Sequence, residues 1–187
     1  MIPEILQRTV EYAGYLTVER LRIRLADGAE VLREVECHGD AVAVLPYDAE
    51  RRCGLVVRLF RAPVFIASGA AASEEACAGM IEREDAAAAA RREAVEELGV
   101  DLAAVDLVAR VWSSSGVSTE RQSLFLARYR STDRKAPGGG VRGEQEGIEV
   151  IERSLLALAQ DADDGKIADA KLLTLILALR LRRPDLF

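Results

Sequence analysis

The chain is short of the residues on which much nucleophilic and zinc chemistry depends. It has 187 residues with one histidine, His38, and three cysteines, Cys37, Cys53 and Cys77. No cysteine pair has zinc spacing, and one histidine cannot complete the usual ligand sets, so a structural zinc site is not expected. A Ser-His-Asp or Cys-His arrangement would have to use His38, which sits in the turn-like stretch ECHGD, and none is assigned. The odd cysteine count is read as free thiols, which suit a reducing cytoplasm. MIPEILQRTV lacks the basic-then-apolar form of a signal peptide. The most apolar run, Leu172 to Leu179, falls far short of the roughly 20 residues a bilayer needs and reads as a buried helix, so no membrane partner is expected. Basic residues are outnumbered, 25 Lys and Arg against 31 Asp and Glu. Net charge is -6, which disfavours a broad nucleic-acid surface but leaves room for a small anion held by local arginines or a metal ion.

Half of the residues are apolar, enough for one domain with a core plus a small extra layer. Leu16 to Leu25 alternates apolar and polar residues, as a half-buried strand does, Asp27-Gly28 marks a hairpin turn, and Glu30 to Cys37 returns. Ala41 to Leu45 reads as a buried strand ended by Pro46 and Asp48, and Cys53 to Phe60 as the next. Arg61 to Ser73, with Pro63 and Gly69, reads as loop. Asp85 to Leu98 is predicted to be a helix closed by Gly99. Strands follow over Val105–Trp112, Ser123–Tyr129 and Ile148–Ile151, then helices over Ser154–Gln160 and Asp169–Leu181. Strands, helix, strands, helices is the order of an α+β layer fold. Trp112 and Phe125 are expected in the core, and Leu172–Leu181 in the core or in dimer packing. Gly138, Gly139 and Gly140 do not join a strand to a helix, so they read as hinges of a mobile loop rather than as a phosphate cradle.

The informative stretch is GMIEREDAAAAARREAVEELGV, residues 79–100. With about 100° of turn per residue, Glu93, Glu96 and Glu97 share one sector, and Arg92 is placed to bridge to Glu96. Crowded carboxylates need either water or a cation to offset their repulsion, and oxygen-only donors suit Mg²⁺ or Mn²⁺. On charge pattern alone the solvated face is the favoured reading.

In context, the stretch resembles the box of the Nudix hydrolases, G-x5-E-x7-R-E-U-x-E-E-x-G-U with U aliphatic. Arg92, Glu93, Ala94, Glu96, Glu97, Gly99 and Val100 match. The first half is one residue short, so that Glu84 keeps the distance to Arg92 and Asp85 the distance from Gly79. EEACAGMIE, the strand VVRLFRAPV, the loop SSSGVSTE and the GGGV segment extend the likeness over most of the chain, towards the branch that cleaves GDP-mannose, among ADP-ribose pyrophosphatase-like enzymes. Ser114-Ser115-Gly116 lacks the proline common in ADP-ribose enzymes.

The resemblance implies an α+β Nudix fold, mixed sheets sandwiched by helices (α/β/α). Residues 1–40 would form N-terminal antiparallel strands for dimerisation, and 41–187 the catalytic domain. It implies metal held by Glu93, Glu97, the carbonyl of Ala78 and Glu146, or alternatively Glu144, with Glu96 on the metal or its waters. Catalytic roles fall to Glu97, Glu93, Glu146 and Arg92, the last steadying a glutamate. Substrate contacts fall to Arg33, Arg58, Arg61, Gly79 and Glu120. The implied protein is a cytoplasmic homodimer using Mg²⁺, or Mn²⁺, to hydrolyse the pyrophosphate of a nucleoside diphosphate sugar, GDP-mannose before ADP-ribose. Two other readings stand beside it: a Nudix-fold binding module without catalysis, and a structural domain with its glutamates in solvent.

Overall fold

The computed structural model describes residues 2–141, 143 and 147–187. Along the chain run β1 (Glu4–Ala13), β2 (Thr17–Arg24), β3 (Glu30–Cys37), β4 (Ala41–Asp48), β5 (Cys53–Leu59), α1 (Ala62–Ser68), β6 (Ser73–Glu75), β7 (Cys77–Met80), α2 (Ala86–Leu98), β8 (Asp106–Trp112), β9 (Arg121–Arg128), β10 (Glu149–Ser154), α3 (Leu155–Asp163) and α4 (Ala170–Arg182). They form two compact units: the chain up to Asp40 with Arg110–Gln122, and Ala41–Ala109 with Ser123–Phe187.

The first unit holds an antiparallel meander, β1-β2-β3. Its β2–β3 turn is the expected Asp27-Gly28, where Gly28 has φ 87° and its N–H donates to Leu25. Polar cross-strand pairs such as Arg24 with Glu4 and Glu30 cover the sheet, and Leu21 is the residue of its strands that is buried. Strand β1 was not expected from the sequence. The Ser113–Glu120 loop hydrogen-bonds to β3, with Glu36 N–H donating to Val117 O and Thr119 N–H to Glu36 O.

The second unit is built on a sheet of order β10-β5-β4-β9-β8, with β6 added to β5 and β7 to β4. Alternation along each strand sends side chains to opposite faces. Val42, Val44, Leu55, Val57, Phe125 and Ala127 meet α2, while Ala43, Leu45, Val56, Leu124 and Leu126 meet α3 and α4. Both faces of β4 are therefore buried, which explains its unbroken apolar run.

Three expectations need correction. Pro46 does not end β4: the strand pairs with β7 over Ala41–Val44 and with β5 at Tyr47–Asp48, and Pro46 falls at the changeover. The turn follows, with Asp48 accepting the N–H groups of Glu50 and Arg51. Arg61–Ser73 is not all loop, because α1 starts with Pro63 in its first turn, where the missing N–H costs nothing, and ends at Gly69. Trp112 is 54% exposed rather than core, with Arg121 stacked 5.2 Å over its ring. Of the C-terminal apolar run, Leu172, Leu175, Ile176 and Leu179 are buried, as is Phe125, and Leu181 is exposed within the chain.

Candidate active site

Helix α2 is capped by Asp85, whose carboxylate accepts from Ala88 N–H at 2.8 Å, and ends at Gly99 in the left-handed conformation. Ala89, Ala90 and Ala94 are fully buried against the sheet. Their short side chains let the helix lie close, which presses the next face, with Arg92, Glu93, Glu96 and Glu97, against β7.

Arg92 is the centre of that face. Its Nη1 donates to Glu93 Oε1 at 2.7 Å and Glu96 Oε2 at 2.9 Å, and its Nη2 to Glu84 Oε1 and the Met80 carbonyl, both at 2.9 Å. Burial works against the Arg92 charge, but its bonds to Glu84, Glu93 and Glu96 outweigh burial and raise its pKa. The same bond from Arg92 pulls Glu84 below the usual carboxylate range. Of the two acids left competing by the shortened box, Glu84 partners Arg92 and Asp85 caps the helix. The missing residue is absorbed in the loop, so the spacing that serves Arg92 survives.

Glu93 and Glu97 are 8% and 5% exposed. Ala78 N–H donates to Glu97 Oε2 at 3.1 Å. In an extended strand a residue's N–H and C=O face the same edge, so the Ala78 carbonyl faces the Glu97 side. A Cβ on Gly79 would stand 1.9 Å from Glu93 Oε1, so this position has no room for a side chain while Glu93 stays where it is. Burial pushes the Cys77 thiol well up, and the charges of Glu97, Glu93 and Glu96 push the same way. All three cysteines are free.

Among the described residues, no group of three or more His, Cys, Asp or Glu side chains is arranged to hold a metal ion by itself. The donor chemistry nevertheless fits a hard cation, since Glu93 and Glu97 offer carboxylate oxygens beside a strand carbonyl. Glu146 and its alternative Glu144 lie outside the described residues.

Arg61 donates through Nε and Nη2 to the two oxygens of Glu75, each at 3.0 Å. Glu75 also takes Lys171 Nζ at 3.4 Å, and Lys171 reaches Asp169 at 2.7 Å. Burial lowers the pKa of Arg61, but Glu75 overrides it, and the charges of Glu97 and Asp169 add to the rise. Arg58 is exposed, between Glu149 at 3.4 Å and Glu74 at 3.5 Å. Sequence reasoning missed Glu75, Asp169 and Lys171. Asp169 alone left a signal, as the N-cap before an apolar helix. Arg33 and Glu120 belong to the first unit, where Arg33 is exposed on β3 with Nη1 on Leu32 O, and Glu120 accepts from Gln122 at 3.4 Å.

The three glycines are not free hinges. Gly139 N–H donates to Glu97 O at 2.8 Å and Gly140 N–H to Glu96 O at 3.1 Å, which pins the segment to the end of α2.

The family described as NUDIX domain matches residues 38–174. The GDP-mannose pyrophosphatase of Cronobacter sakazakii is 35% identical over 151 residues, covering 80% of this chain and 78% of that protein. The GDP-mannose pyrophosphatase of Klebsiella pneumoniae is 34% identical, covering 83% of this chain and 79% of its own. That of Escherichia coli O1:K1 / APEC is 30% identical with 90% of each covered. A crystal structure of an ADP compounds hydrolase superposes with a TM-score of 0.77 over 99% of this chain and 96% of its own, at 15% identity. The fold, the Arg92-centred box and these relatives agree, and the chain belongs to the Nudix hydrolase family.

Proposed function

We propose that the protein hydrolyses the pyrophosphate of a nucleoside diphosphate sugar, GDP-mannose first, giving a nucleoside monophosphate and a sugar phosphate. The observation that carries this reading is the Arg92 cluster, with Glu93 and Glu97 buried against β7. The GDP-mannose pyrophosphatases among its relatives supply the substrate class. Glu93, Glu97, the Ala78 carbonyl and Glu146 would hold Mg²⁺, or Mn²⁺ in its place, with Glu96 on the ion or its waters. Such an ion, when bound, neutralises phosphoryl charge and lowers the pKa of a coordinated water.

The chain's own residues do the rest. Arg92 restrains the carboxylates of Glu93 and Glu96, so their donor oxygens need not be ordered when substrate arrives. The Ala78 amide does the same for Glu97. Arg58 and Arg61 suit the diphosphate, because a guanidinium pairs with phosphate oxygens in two places. Glu75 holds Arg61 in position for that contact. Gly79, Arg33 and Glu120 complete the proposed substrate contacts. Glu146, or Glu144, would serve as ligand or accept the proton of the attacking water as a new P–O bond forms and the bridging oxygen leaves with the sugar phosphate. We place the enzyme in the cytoplasm, as a homodimer joined through residues 1–40. Among the described residues no helix is long and apolar enough to cross a membrane.

The test is to assay wild type and Glu97→Gln with GDP-mannose and ADP-ribose at millimolar Mg²⁺. Wild type should release mannose phosphate and prefer GDP-mannose, and the variant should be slower on the order of 100-fold. No product from either substrate, or a variant as fast as wild type, rejects the mechanism.

A further inference from the structure

The last turn of a helix leaves carbonyls without intrahelical partners. In α2 those carbonyls belong to the residues that carry the site. Gly99 N–H takes Val95 O, whereas the carbonyls of Glu96 and Glu97 are taken from outside the helix, by Gly140 and Gly139. The contact extends over residues 133–140. Lys135 N–H donates to Gly99 O at 2.7 Å, Ala136 N–H to the same oxygen at 3.2 Å, and Asp101 N–H to Asp133 O at 3.0 Å. Val100 and Arg134 form an antiparallel bridge. The strap lies backbone against backbone. A Cβ on Gly138 would stand 2.3 Å from Glu97 O and 2.7 Å from Leu98 C, and these are main-chain atoms that cannot swing aside. Gly138 also has φ 76°.

We propose that the 133–140 strap is a positioning element of the ion site, and that Gly138 is the residue that lets it seat on the carbonyls of Glu96 and Glu97. This rests on the reading of Glu97 as an ion ligand. By holding the peptide groups of Glu96 and Glu97, the strap sets where the two carboxylates start from, so ion affinity depends on a segment that does not itself touch the ion. Coupling of this kind is reciprocal. If the strap orders the ligands, an ion on the ligands must protect the strap.

Two measurements test it. Mn²⁺ binding is titrated by electron paramagnetic resonance for wild type, Gly138→Ala and Gly165→Ala. Gly165 has φ 68° but no atom near its Cβ position, so it carries the backbone strain without the clash. Gly138→Ala should bind at least about tenfold more weakly, and Gly165→Ala within about twofold of wild type. A folded Gly138→Ala with wild-type affinity overturns the proposal. The second measurement is amide hydrogen exchange of wild type at Gly139 and Gly140, with and without saturating Mg²⁺. Exchange about tenfold slower with the ion supports the strap's role, and unchanged exchange overturns it even where Gly138→Ala does not fold. Wild type that binds no divalent ion overturns the proposed function and this inference together, whereas wild type and Gly138→Ala binding equally well overturns this one alone.

Discussion

At the scale of residues, the site depends on close approach. Gly79 is the clearest case, because its Cβ position is claimed by Glu93 Oε1. Gly79→Ala must push Glu93 off its 2.7 Å bond to Arg92. The expected cost is about 1–3 kcal/mol of stability, read from urea unfolding, with at least about a tenfold fall in kcat. If both quantities stay at wild-type values, Glu93 does not work from the position described. Arg92 is a second case. One guanidinium reaches Glu84, Glu93, Glu96 and the Met80 carbonyl, so lysine, with a single point charge, is a poor substitute.

At the scale of elements, α2 separates two acids that lie side by side. Asp85 caps the helix and Glu84 partners Arg92. Asp85→Ala should therefore lower stability by about 1 kcal/mol with kcat little changed. Glu84→Gln should lower kcat more than stability. Thermal melts and steady-state rates on the two variants decide this, and the opposite pattern would make Asp85 the acid of the box. The helix half of the box was legible because spacing on a helix dictates which side chains meet. Other elements were hidden for identifiable reasons. Pro63 looks like a loop residue until it is seen to occupy a first helical turn. Pro46 looks like a strand breaker because a change of pairing partner leaves no local mark. Trp112 looks like core because hydropathy does not show that its ring is covered by Arg121 instead. The Arg61–Glu75–Lys171–Asp169 network joins residues far apart in the chain and has no periodicity to reveal it.

At the scale of the whole molecule, the β1-β2-β3 sheet buries little within the chain and shows Ile5, Val10 and Leu32 to solvent, Leu32 at 61% exposure. A second copy is the proposed cover. Sedimentation velocity of the full chain should give a species of twice the chain mass, and a monomer at all accessible concentrations would reject the dimer. The sheet of the second unit has a consequence of another kind. Strand β5 pairs with β10, so that Arg58 lies opposite Glu149 and Cys53 opposite Ser154. Contacts this distant in sequence must wait for a long loop to close, and such topologies fold slowly. On the ribosome, the β5 edge that faces β10 stays unpaired until residue 154 has emerged, long after the box helix is available. During synthesis the chain thus presents a nearly complete box helix on an unfinished sheet, and that interval is when it most needs protection from pairing with a neighbour.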